Sequence, residues 1–290
     1  MMHRNLLTYL LVAAVALLGI GACGIHASAK GKAPKASKTA KSTKATKGAK
    51  DVFTVVIDAG HGGRDSGCVG RYAREKDINL AVAKGLAKLI TDSCADTKVV
   101  LTRNTDKFIT LQERANIANR AKGDLFISIH VNSVDAKSPG RSSVSGASVW
   151  TIGTEKEQNT LNVAMRENSV IELEDDFSAK YSGFDPQSAE SYIIFELADN
   201  MHRRQSIDFA RDACRELVTT AGRADKGVRQ AGFWVLWATS MPAVLVELDF
   251  ICNPDCEDFL ASDAGRRKCS QAIFNAFSRY RRSHKPQSSR

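Results

Sequence analysis

The chain has 290 residues, with 41 basic against 32 acidic side chains and a net charge of +9. That length suits one large domain or two small ones. Residues 1–50 hold nine of the basic residues and no acid, so the remaining 32 match the 32 acids and the body of the chain is neutral. A nucleic-acid role would therefore rest on that tail alone.

Met1–Ala29 reads as a targeting segment. Arg4 supplies the positive start, Leu6–Ile20 the apolar stretch and Ala27-Ser28-Ala29 the small-residue cleavage site. The stretch is short for a membrane span, and no later segment is long enough to be one. Ile20-Gly21-Ala22-Cys23 resembles a bacterial lipoprotein signal, which would leave an anchor at Cys23. Both routes place the mature chain outside the cytoplasm, in the periplasm or cell envelope. Residues 30–50 repeat lysine among Ala, Ser, Thr and Gly and lack large apolar side chains. Such a segment cannot offset its own ordering entropy and reads as a flexible linker. The export signal favours a tether to anionic envelope surfaces over a nucleic-acid arm.

Residues 51–285 read as the catalytic domain. Thr54–Ile57 is a buried strand running into Asp58-Ala59-Gly60-His61-Gly62-Gly63, an open loop. Glycine on both sides lets the His61 imidazole approach a metal or a substrate. Residues 77–91 have helical apolar spacing, and 98–102 form a short strand. Thr110 caps a helix, with Glu113 completing a capping box. Residues 125–129 and 146–152 are strands, and His130 follows the first of them. Residues 205–220 are helical, 243–250 form an apolar strand and 265–280 a terminal amphipathic helix. Strand and helix alternate, which predicts a single α/β domain with a mainly parallel twisted sheet and helices on both faces. Residues 153–200 break the rhythm as an irregular insertion with an acidic run at 172–176.

His61, Glu75 and His130 stand near strand ends or a helix start. Two imidazoles and a carboxylate suit Zn2+ and leave a fourth position for water, the pattern of a catalytic site. Glu247 lies within Val244-Leu245-Val246-Glu247-Leu248, where a charge needs a partner or a function. Near the strand's end it is placed to act as general base. Six cysteines follow the leader, an even number that permits disulfides or buried thiols in an oxidising compartment.

Ile57–Gly63, Arg74-Glu75-Lys76, Leu101-Thr102-Arg103, Leu111–Arg114, Ser128–Asn132 and Val246-Glu247 occur in one order. Together they closely resemble the zinc-dependent N-acetylmuramoyl-L-alanine amidases of bacterial cell-wall turnover, over about residues 52–280. The resemblance implies a zinc held by His61, Glu75 and His130, with Glu247 as catalytic acid and peptidoglycan as substrate. Gln230–Leu236 looks like the family's segment before the catalytic strand. Two departures stand out: Ala59 replaces a common proline, and Leu248 replaces a usual Thr or Ser. Asn132 and Arg103 are candidates for positioning the substrate. Arg103 could equally serve as a structural ion-pair partner. The insertion lies where division-associated members carry a helix that occludes the zinc. Glu172 or Glu174 would supply the occluding carboxylate, and an activator protein would relieve it; a solvated acidic loop is the other reading of that run. Two rival functions are a peptidoglycan-binding protein without turnover and a Cys-dependent hydrolase using Cys68.

Overall fold

A computed structural model describes residues 52–153, 158–195 and 201–284. The expected leader, the linker and Cys23 lie outside the described residues. Phe53–Ala59 forms strand β1, buried along its whole length. After it come helix α1 (Glu75–Ser93), β2 (Thr97–Leu101), α2 (Leu111–Arg120), β3 (Leu125–Asn132) and β4 (Ala147–Ile152). Helix α3 (Gln158–Asn168) and the short α4 (Phe177–Lys180) follow, with short 3-10 helices at Ser169–Leu173 and Ala189–Phe195. The chain continues through α5 (Arg203–Thr219), β5 (Asp225–Ala231), α6 (Trp234–Trp237), β6 (Ala243–Phe250), α7 (Pro254–Ala261) and α8 (Asp263–Ser283).

The six strands lie in the order β2-β1-β3-β6-β4-β5. All neighbours run parallel except β4 and β6, which pair antiparallel. Side chains alternate between the two faces of a strand. Val55, Ile57, Ile127, Ile129, Val244 and Val246 pack on one face against α1, α5 and α8. Val56, Phe126, Trp150 and Leu245 pack on the other, against α2, α3 and α6. The second face turns polar toward the strand ends, with Asp58, Ser128, His130, Ser148 and Glu247 all buried. In an open α/β sheet that edge is where ligands collect.

Side-chain caps start α2 and α8, the first expected, although the Glu113 carboxylate bonds Arg120 and Asn116 instead of closing the box. Thr110 Oγ1 accepts the Glu113 backbone N–H at 3.1 Å and starts α2. Ser262 Oγ accepts the Gly265 N–H at 2.9 Å and starts α8. The region expected to be irregular, 153–200, contains α3 and closes over the polar sheet edge. Strand β5 carries the polar sequence DKGVRQA and sits at the sheet margin. All six cysteines among the described residues are free thiols, four of them buried. No helix among the described residues is long and apolar enough to cross a membrane.

Asp58 and Arg114 make a fully buried ion pair at 2.7 Å. Burial alone pushes the Asp58 carboxyl up. The Arg114 charge, with hydroxyl donors Thr102 and Ser128, outweighs burial and holds it below its ordinary value. The resulting stability is complete above the ordinary Asp value of about 3.9 and is lost as pH falls through the lower folded value. Arg114→Leu leaves a buried charge uncompensated. The expected loss is about 3–5 kcal/mol, read from the urea midpoint at neutral pH.

Candidate metal centre and active site

The loop after β1 is irregular, so its carbonyls need donors from elsewhere. Two buried arginines provide them. Arg103 donates to the carbonyls of Ala59, Gly60 and Lys76 at 2.9, 2.9 and 2.8 Å. Arg114 donates to the carbonyls of Ala59 and His61 at 2.7 and 2.8 Å. His61 itself is held at φ 60°, a left-handed conformation that is costly for a side-chain-bearing residue. Gly60 is obligatory for a different reason. A Cβ there would lie 2.4 Å from Nε2 of His130.

Three elements deliver the expected metal-ligating side chains to one point. His61 comes from the loop, Glu75 from the first residue of α1 and His130 from the end of β3. The Nε2 of His61 and the Nδ1 of His130 each lie 3.2 Å from Glu75 Oε1. A fourth side chain, Glu167 of α3, places Oε2 3.2 Å from His61 Nε2 and 2.9 Å from His130 Nδ1. The ligand atoms of all four residues lie within 4.8 Å of one another, and all four residues are buried.

These separations match the edge of a zinc tetrahedron, about 3.3 Å for ligands near 2.0 Å from the ion. Both imidazole nitrogens and Glu167 Oε2 are buried without a hydrogen-bond partner among the described residues. Lone pairs converging in this way fit a cation. The outer nitrogens are bonded, as second-shell ligand geometry requires. Nδ1 of His61 lies 2.7 Å from Asp65 Oδ2, and Nε2 of His130 lies 3.1 Å from Ser128 Oγ. Ser128 donates in turn to Asp58 at 2.7 Å. Glu75 accepts the Val131 and Cys68 backbone N–H groups, each at 2.8 Å. Burial alone pushes His130 down; the Glu167 charge more than reverses this and raises it to about 9.

Glu247 pairs across the sheet with His130 and is wholly buried. Neither of its oxygens has a hydrogen-bond partner among the described residues. Burial first, then the Glu167 charge, pushes its carboxyl up to about 8. Its nearest cation is Arg166, at 3.6 Å. Arg166 also donates to Ser133 O and Asn132 Oδ1, at 2.8 and 3.1 Å.

The other expected residues fall elsewhere. Asn132 lines the groove beside the cluster. Arg103 does not face the groove, because its guanidinium is committed to backbone carbonyls beneath the His61 loop. Glu172 is exposed, and Glu174 accepts the Tyr181 hydroxyl at 2.6 Å. Neither belongs to the cluster; Glu167 occupies that place instead. A signal for Glu167 lies in its spacing. Thr160, Ala164, Glu167 and Ile171 fall on one helical stripe, and all four are buried. Cys68 lines the groove, where burial and then the Glu75 charge push its thiol well up. That disfavours the thiolate a nucleophile requires.

Known proteins of one family resemble this chain in sequence and fold. A family model described as N-acetylmuramoyl-L-alanine amidase matches residues 55–279. An uncharacterised protein of Bacillus subtilis, YqiI, is 34% identical over 78% of this chain and 84% of its own. The N-acetylmuramoyl-L-alanine amidase AmiC of Escherichia coli O6:H1 is 32% identical over 78% of this chain, which spans 52% of AmiC. Among solved structures, the catalytic domain of CwlV, an N-acetylmuramoyl-L-alanine amidase from Bacillus (Paenibacillus) polymyxa, aligns with a TM-score of 0.58. That alignment has 27% identity and covers 79% of this chain and 98% of CwlV's domain.

Gly60→Ala tests how strictly the cluster is built. The added methyl displaces the His130 ring. Zinc affinity by chelator competition is expected to fall about tenfold or more, with cooperative unfolding retained.

Proposed function

The chain belongs to the N-acetylmuramoyl-L-alanine amidase family and hydrolyses peptidoglycan, and from that premise we propose a zinc mechanism with named residues. The bond cut joins N-acetylmuramic acid to L-alanine of the stem peptide. His61, Glu75 and His130 hold Zn2+, and Glu247 handles the proton. The observation that carries this reading is the convergence of two imidazoles and two carboxylates within 4.8 Å. Glu247 is one strand away, opposite His130.

Bound zinc supplies Lewis acidity and lowers the pKa of its water to about 7. Glu247 removes a proton as the water oxygen adds to the amide carbon. It returns that proton to the alanine nitrogen as the carbon–nitrogen bond breaks. Burial, the larger cause of its raised carboxyl, lets Glu247 hold the proton between the two transfers. Asn132, at the edge of the cluster, is placed to orient the substrate.

In the conformation described, α3 opposes this chemistry twice over. Glu167 stands where the attacking water belongs, and Arg166 draws on Glu247. We assign α3 as an occluding helix and the state described as a resting one. An activator that withdraws α3 would then start turnover during cell-wall remodelling or daughter-cell separation. The reading also includes export through residues 1–29, or lipid anchoring at Cys23, and a tether over residues 30–50.

Two measurements test this. Glu247→Gln is expected to keep stoichiometric zinc while peptide release from purified sacculi falls about 100- to 10,000-fold. Full activity in that variant would remove Glu247 from the mechanism. Glu167→Ala is expected to raise basal release about tenfold or more, because the occluded fraction no longer competes with water. Unchanged basal activity with zinc bound would show that α3 is no barrier.

A further inference from the structure

A groove of about 900 Å3 runs from Cys68 and Asn132 across the strand ends to β5. Among the described residues, its charged lining is Arg141, Arg166, Lys226 and Arg229 against the acid Asp135. The excess is local, since the chain beyond residue 50 is neutral. Arg166 is committed to Glu167 and lies on α3. Lys226 and Arg229 instead belong to β5, part of the fixed sheet.

The register of the sheet connects Arg229 to the reacting centre, and Lys226 lies three residues before it on the same strand. Glu247 of β6 pairs with Ser148 of β4, and Trp150 of β4 pairs with Arg229 of β5. Paired residues, and residues two apart on one strand, share a face. His130, Glu247, Ser148, Trp150 and Arg229 therefore share one face, with Trp150 and Arg229 in the next row along, beside Leu245. Trp150 Nε1 donates to Ser148 Oγ at 2.9 Å, and the Arg229 guanidinium lies over the Trp150 ring at 5.4 Å. Two strand spacings separate β6 from β5, about 10 Å. An extended peptide covers that distance in about three residues.

Resting on the amidase reading above, we propose that Lys226 and Arg229 are specificity residues that bind a carboxylate of the stem peptide, at its second or third residue. The stem carries free carboxylates. The glycan carries none here, because its lactyl carboxyl is tied up in the scissile amide. The charge of the groove thus fixes the direction of the substrate, with peptide toward β5. Arg229 donates to Thr160 Oγ1 of α3 at 3.1 Å in the resting state.

The test uses two soluble muramoyl peptides that differ only at the second stem residue, a free carboxylate in one and its amide in the other. The full-length zinc-loaded chain carries Glu167→Ala so that the centre is open. A preference for the acid of about tenfold in kcat/KM is expected, expressed in KM and reduced by salt. Lys226→Gln, exposed and clear of α3, is expected to lose part of it, and Lys226→Gln with Arg229→Gln to lose it all. Equal rates on both substrates before these changes, or a preference that survives the double change, would overturn the assignment. Cleavage of neither substrate would instead sink the amidase reading beneath it.

Discussion

Two guanidiniums buried under an irregular loop are the constraint on which the site depends. Segments of regular structure satisfy their own carbonyls; residues 59–61 do not. Arg103 and Arg114 do it for them, and the Arg114 charge is balanced by Asp58 at 2.7 Å. The same Asp58 accepts from Ser128, whose hydroxyl lies against His130. One buried carboxylate thus joins the loop bearing His61 to the strand bearing His130. The imidazoles are held as firmly as the core itself, and the donor set is preorganised.

The sheet supplies the rest through parity. On each strand, alternate residues enter the apolar core beneath α1, α5 and α8. The intervening ones reach the opposite face and become polar only near the strand ends. That is why Asp58, Ser128, His130, Ser148 and Glu247 share one edge although they are scattered through the chain. The antiparallel placement of β4 beside β6 puts Ser148 opposite Glu247 and extends the edge into a groove. Glu247 is therefore not an isolated charge in an apolar strand. It is the next member of a polar row.

Most of this was legible in the sequence because the chemistry violated local expectation. A histidine between glycines, a histidine ending a buried strand and a glutamate inside Val-Leu-Val-Glu-Leu each conflict with ordinary packing. Conflict of that kind marks function. Glu167 carried the same conflict, a carboxylate on the buried stripe of a helix. It was hidden because its helix lies in a segment whose turn residues and acidic run read as loop. The acids at 172 and 174, one exposed and one bonded to Tyr181, drew attention to a later turn. Arg103 was ambiguous for another reason: a motif arginine looks alike whether it binds substrate or backbone, and only its hydrogen bonds decide. Strand β5 escaped because DKGVRQA at a sheet margin has little of the apolar character that marks an inner strand.

The end of α3 moors three consecutive side chains to three different places. Arg166 grips the end of β3 through Ser133 and Asn132. Glu167 enters the imidazole cluster. Asn168 donates to Gly232 O at 2.7 Å and accepts the Trp234 N–H at 2.9 Å, ahead of β6. Because neighbours along one backbone cannot drift apart, no mooring slips far while the other two hold. Release then requires all three moorings to break together, which makes a departure cooperative. Under the resting state proposed above, that cooperativity separates silence from action without a partial setting between them.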